Sequence, residues 1–153
     1  MAFDVGCVIG NFLMAFIISS MSDKHQDRMS GTDPSAIESL RNRRRWILEA
    51  AEQFWERFST EMRRLELSST ISRRHAKTID NWLKELWVDS LGFSAVSMVR
   101  LTIGQLHYPP LDALPPDAIS DSSHRILRLA EGILTHRPSD MHNLMVRVQD
   151  EMA

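Results

Sequence analysis

Cysteine is almost missing from this sequence. Its 153 residues hold one, Cys7, which excludes an internal disulfide framework and any zinc cage built on thiolates. Proline and glycine are also sparse, six of each, so collagen-like and linker-like compositions are excluded. Neither sign of charge dominates: eighteen Lys and Arg stand against twenty Asp and Glu, a formal net of −2. That balance removes bulk attraction to nucleic acid or to an anionic membrane surface as a main function. No G-x-S-x-G elbow, P-loop or G-x-G-x-x-G occurs, which leaves a nucleophile-elbow hydrolase or a mononucleotide cradle without support. Strand-like alternation, internal repeats and low-complexity tracts are missing too.

What is present is the composition of one folded domain. The chain is 43% apolar and 25% charged, close to the globular average, and long enough to bury a sizeable core. These totals suit a reduced, cytoplasmic compartment. The longest apolar run, Val5 to Ile18, is interrupted only by Gly6, Gly10 and Asn11. It falls short of the ~20 residues of a bilayer span. It also lacks the basic flank of a secretory signal, because the charge before it is the acidic Asp4. A buried helix is therefore expected, with a cleaved signal or a membrane anchor as the competing readings. The Gly6-x-x-x-Gly10 pair fits close packing of that helix against another backbone better than dimerisation in a membrane.

The fold class expected is all-α, with about five helices. Ser22 to Asp33 reads as a polar loop. Asp33-Pro34 then starts a helix, since Asp caps a first turn and proline is tolerated in it. Ile37, Leu40, Ile47, Ala51, Phe54, Phe58, Met62 and Leu65 recur at three- and four-residue steps, which makes one long amphipathic helix. A third helix carries Ala76, Ile79, Leu83 and Leu86 with Trp82 and Trp87 beside them, and continues through Leu91 to Ile103 with a break expected near Gly92. Pro109-Pro110 and Pro115-Pro116 mark a loop. Ile119 to Leu134 and Met141 to Val148 supply two last helices, the final one capped by Ser139. Trp46, Trp55, Trp82 and Trp87 are expected as core or interface anchors.

Few residues suggest chemistry on their own. The Arg41, Arg43, Arg44, Arg45 cluster could bind phosphate. Between Pro34 and Leu67, however, seven arginines meet six glutamates, and Arg45–Glu49 and Arg57–Glu61 stand four apart, the pattern of a solvated helix face. The histidines His25, His75, His107, His124, His136 and His142 form no i, i+4 pair and have no carboxylate at ligand spacing, so no metal site is expected. Asp4 reads as a carboxylate favoured by the positive end of the first helix.

Three stretches taken together resemble one family. Phe3-Asp4-Val5-Gly6, followed by Gly10-Asn11 and an apolar run, is similar to the F-D-I-G…G-N segment of the S-methyl-5-thioribose kinases. Trp46-Ile47 with Trp55 resembles the long helix that follows there. Asp89-Ser90-Leu91-Gly92-Phe93, continuing through Met98-Val99-Arg100 to Gly104 and His107, resembles the family's D-S-L-G-F…M-I-R-R…G…H stretch.

That resemblance implies a protein-kinase-like, aminoglycoside-phosphotransferase-like fold. It implies transfer of the γ-phosphate of ATP, with Mg²⁺, to the anomeric hydroxyl of methylthioribose in methionine salvage. Residues 1–153 would then be a single helical segment corresponding to the C-terminal part of the large lobe. Met1 aligns with an internal methionine just after the family's metal-binding acids, as in a truncated gene model. No H-G-D catalytic loop and no D-x-E metal motif occurs in the sequence. No catalytic residue is therefore expected in this chain, and neither ATP nor Mg²⁺ is expected to bind it alone. Two roles carry over by position. Asp4 would hold the backbone of the catalytic loop, and Arg100 would bind the substrate and neutralise phosphate oxygens. Leu101 stands where the family has a second arginine. The rival expectations are a stand-alone helical interaction module and a small secreted or membrane-tethered helical protein. An uncovered Val5–Ile18 helix would leave an apolar patch favouring a homodimer.

Overall fold

The computed structural model describes residues 1–29, 34–68, 76–104 and 108–152, and leaves aside the side chains of 23–29, 34, 36, 37, 67, 68, 76 and 77. All regular elements among the described residues are helices: α1 (Ala2–Met29), α2 (Pro34–Ser68), α3 (Ala76–Ile103), α4 (Pro109–Asp112), α5 (Pro116–Thr135) and α6 (Met141–Asp150). The all-α expectation holds, with one helix more than the periodicity suggested. The extra one is α4, a single turn started by Pro109 and Pro110 at its first positions, where a missing N–H does no harm.

Helix α1 is the centre of the core. Ile9, Leu13, Met14 and Ile17 are wholly buried, and Val5, Phe16 and Ile18 nearly so. Apolar residues all round a helix mean burial on most sides, and α1 indeed packs against α2, α3, α4 and α5. By length and composition Ala2–Ser22 and Thr78–Ile103 could each cross a membrane, although over half of the first is buried within the fold. The apolar stretch of α1 thus exceeds the fourteen residues of its longest run, and the packing agrees with the buried-helix reading.

Small residues set the approach of α1 to α3. A Cβ added at Gly6 would lie 2.5 Å from the Ser90 carbonyl oxygen and 2.8 Å from the Phe93 Cβ; one at Gly10 would lie 3.2 Å from the Ser94 carbonyl oxygen. Gly6 therefore meets Ser90 and Gly10 meets Ser94, so the two helices run parallel with small residues interlocked. The glycine pair works as packing.

Around this pair, α2 contributes buried Ile47 and Ala51, and α5 contributes Ile126, Leu129, Ala130 and Ile133. Met141, Leu144, Met145 and Val148 of α6 complete the same cluster. A smaller cluster of Ile79, Leu83 and Leu86 sits toward the start of α3 with Met62 and Trp82. Phe54, Phe58 and Met62 of the α2 stripe are half-buried, while Leu65 is exposed. The side chain of Ile37 lies outside the described residues. Of the tryptophans, Trp87 is buried and Trp55 and Trp82 partly so, but Trp46 is 64% exposed and lies outside the core.

The α5–α6 hairpin is tied at both ends by arginines. Arg147 Nη1 donates to the Gly132 carbonyl and, at 2.6 Å, to the His136 carbonyl, at the last turn of α5. Arg125 donates to the Glu151 carbonyl at the end of α6, and Arg128 pairs with the Glu151 carboxylate at 3.1 Å. Guanidinium groups suit these helix ends because the last carbonyls carry partial negative charge and a carbonyl oxygen has room for a second donor.

Four local expectations are corrected. Helix α1 runs on to Met29 instead of giving way to a loop at Ser22, and α3 passes Gly92 without a break. Helix α6 is capped by Asp140, whose carboxylate accepts from the Asn143 backbone N–H at 2.9 Å, while Ser139 donates to Asp140. On α2, Arg45 pairs with Glu49 at 3.7 Å as expected, but Glu61 is taken by Arg64 rather than Arg57.

Candidate functional site

The two residues singled out by resemblance stand on the helices that form the tight parallel pair. Asp4 lies in the first turn of α1 and is exposed, its carboxylate 3.2 Å from the Met1 amino group. Next to it, Phe3 closes edge-on against Phe93 of α3, ring centroids 5.7 Å apart and planes at 84°. That contact places the start of α1 level with the D-S-L-G-F segment.

Arg100 lies seven residues further along α3 than Phe93. At 1.5 Å per residue this is roughly 10 Å, so Arg100 lies well beyond the level of Asp4 along the helix pair. Arg100 is exposed and has no ion pair among the described residues. Its row on α3, read at helical steps, comprises Asp89, Phe93, Val96, Arg100 and Ile103, all exposed. Leu101 turns the other way and packs, half-buried, against the main core. A second arginine at that position would have to extend out of apolar surroundings to keep its charge hydrated. Leucine instead contributes to the core, and only position 100 offers a cation outward.

Ser90, within the same segment, is fully buried, and its hydroxyl has no hydrogen-bond partner among the described residues. Its small side chain is what allows α1 to come close at Gly6.

Away from this face, a cleft of about 420 Å³ opens between α2, α3 and the α5–α6 loop. Trp55 and Trp87 form its aromatic wall, ring centroids 4.8 Å apart. Trp87 is fixed by donating Nε1–H to the Pro138 carbonyl at 2.9 Å. Arg63 and Asp80 close one end as an ion pair at 2.9 Å, and Asp140 borders the cleft with Ser139. The backbone N–H of Asn143, then the Ser139 hydroxyl, hold the Asp140 carboxyl below its ordinary range. This acid serves its own helix cap. Sequence reasoning did not single out the cleft, because its walls are brought together from residues more than eighty apart in the chain.

A magnesium–nucleotide site would require carboxylates converging on one point. No group of three or more His, Cys, Asp or Glu side chains comes together among the described residues, so nothing described fits such an ion. Of the histidines, His124, His136 and His142 are exposed and apart, and His136 is bonded to Thr135. His75 and His107, and the side chain of His25, lie outside the described residues.

Comparison with known proteins gives a consistent but distant likeness. A methylthioribose kinase of Pectobacterium atrosepticum is 29% identical over 161 aligned positions, covering all of this chain and 36% of the relative. A methylthioribose kinase of an Enterobacter species is 26% identical over 132 positions, covering 84% of this chain and 29% of the relative. The chain is thus similar, along its whole length, to about a third of a methylthioribose kinase. No protein-family model matches the chain, and no solved structure does.

Proposed function

We propose that this chain corresponds to the C-terminal helical part of the large lobe of a methylthioribose kinase-like, cytoplasmic phosphotransferase, and that it is inactive by itself. The parent reaction is ATP- and Mg²⁺-dependent phosphorylation of a thiosugar. The observation that carries this reading is the match to two methylthioribose kinases, over all of the chain in one case and 84% of it in the other, each relative being far longer than the chain. The absence of H-G-D and D-x-E motifs from the sequence supports the second half of the statement.

Within that reading Arg100 binds the substrate. Its guanidinium is turned outward from α3 and free of acidic partners among the described residues. A planar cation with five donors neutralises charge that builds on phosphate oxygens during transfer. Asp4 has a positioning role, its exposed carboxylate accepting backbone N–H groups of the catalytic loop. Leu101 keeps the core intact and leaves Arg100 as the single cation there.

The test uses a graft in which this chain replaces the matched segment of the P. atrosepticum kinase. The chain alone, mixed with ATP, Mg²⁺ and methylthioribose, should give no product, while the graft should give methylthioribose 1-phosphate. Arg100→Ala in the graft should lower kcat/KM by roughly 10²–10³, the usual loss when one charge-stabilising donor is removed. Turnover by the chain alone, or a soluble graft without activity, would overturn the proposal.

A further inference from the structure

Helix α3 has the composition of a core helix without the burial of one. Its Thr78–Ile103 stretch is apolar enough to cross a membrane, yet only 39% of its most apolar window is buried. Of its four exposed large apolar residues among the described side chains, Val88 stands apart at 37% exposure and the other three fall together. Phe93, Val96 and Ile103 are 43%, 56% and 68% exposed and stand in one helical row, about 15 Å long at 1.5 Å per residue. Phe3 of α1 widens the strip by closing edge-on against Phe93. By contrast Trp46, Leu65, Leu134 and Val146 are exposed singly on three other helices, which is ordinary for a protein surface. A contiguous strip of this kind marks a surface made to be covered.

What covers it follows from length. All of this chain aligns with only 36% of the P. atrosepticum kinase, so close to two thirds of such a polypeptide has no counterpart here and must meet these helices somewhere. Among the described residues the strip is an apolar row open to it, and it also carries Arg100. We infer that the Phe3–Phe93–Val96–Ile103 strip is the seat on which the remaining two thirds of a methylthioribose kinase-like polypeptide docks. This rests on the kinase-like reading above. The occupant presents an apolar surface of its own, and Arg100 becomes the cation held at the junction.

The experiment compares hydroxyl-radical labelling of Phe3 and Phe93 in the isolated chain and in the graft. Burial at the centre of an interface excludes water, so labelling of both rings should fall about fivefold or more in the graft. Val96→Asp should lower the melting temperature of the graft and leave that of the isolated chain unchanged. Rings labelled equally in both proteins, or a graft indifferent to V96D, would sink the docking surface even if the graft phosphorylates methylthioribose. Protected rings in a graft that makes no product would retain the surface and reject the kinase activity. If the graft is insoluble, the chain is coexpressed with the kinase lacking its matched segment. Recovery of that truncated kinase with wild-type chain but not with V96D supports the seat, and recovery with neither overturns it. Sedimentation of the isolated chain as a dimer that V96D dissociates would assign the strip to a second copy and likewise overturn the inference.

Discussion

Arg147 of α6 reaches across the hairpin to the end of α5, where its guanidinium Nη1 donates to both the Gly132 and the His136 carbonyls. Hydrogen bonds from a charged donor contribute about 1.5–3 kcal/mol each when made in a partly buried place. Arg147→Met keeps the aliphatic stem and removes both bonds. It should destabilise the chain by roughly 2–3 kcal/mol in urea unfolding. Arg147→Lys should recover only part of this, since the ammonium is a more strongly hydrated charge on a flexible stem and the planar guanidinium is pre-organised.

The same substitution should have opposite signs at two glycines. At Gly6 a methyl group would collide with the Ser90 carbonyl oxygen at 2.5 Å, whereas at Gly92 the nearest atom is the Arg137 Nη2 at 3.6 Å. Gly6→Ala forces α1 away from α3 and should cost about 1–3 kcal/mol. Gly92→Ala lies inside a helix in ordinary contact and should stabilise by up to ~1 kcal/mol. Thermal unfolding would separate them, at about 2–4 °C per kcal/mol for a chain of this size.

Trp87 joins α3 to the α5–α6 loop through one buried bond, Nε1–H to the Pro138 carbonyl. Trp87→Phe preserves an aromatic ring beside Trp55 but leaves that carbonyl without its donor. A loss of about 1–3 kcal/mol is expected, read as a lower urea midpoint with an unchanged slope.

Asp140 gives the fold a defined acid dependence. Its carboxyl is lowered from an ordinary value near 3.8 because the Asn143 N–H, and then Ser139, bond to the charged form. A lowered folded-state value means that the stabilisation is complete above pH ~3.8 and is lost as pH falls through the folded-state value beneath it. Asp140→Ala should therefore cost about 1 kcal/mol near neutrality, and the gap between the two proteins should close in strong acid. Asp140→Asn, a comparable cap without a titrating group, should show no such closing.

Much of this fold was legible in the residues. The apolar run of α1 predicted its burial, the α2 stripe marked the face that buries Ile47 and Ala51, and Gly6-x-x-x-Gly10 foretold a close helix contact. The errors have physical causes. Ser22–Met29 looked like a loop because it is polar, but Lys24, Gln26 and Arg28 favour helix and no glycine or proline intervenes before Gly31. Gly92 looked like a break, yet one helical glycine costs only about 1 kcal/mol, and buried Leu91, Ala95 and Met98 outweigh that. Ser139 was expected as the cap of the last helix, but it is the neighbouring Asp140 whose carboxylate meets the Asn143 N–H, a one-residue shift that only the folded geometry fixes. For the candidate site, resemblance named Asp4 and Arg100, but only the folded helices reveal that Arg100 stands in an apolar row while Leu101 faces inward. The three-, four- and seven-residue steps from Phe93 to Ile103 were the available signal. They went unread because an apolar row is ordinarily assigned to the core.

The parallel clasp of α1 on α3 and the burial of α1 by α5 also set a timetable for synthesis. Helix α1 ends at Met29 and α5 starts only at Pro116. At about 5–20 residues per second, roughly 4–17 s separate the emergence of the two from a ribosome. Throughout that interval the greasiest helix of the chain waits without its last wall. A nascent chain built this way is exposed to misassociation, and a holding chaperone acting on α1 would raise the yield of folded protein.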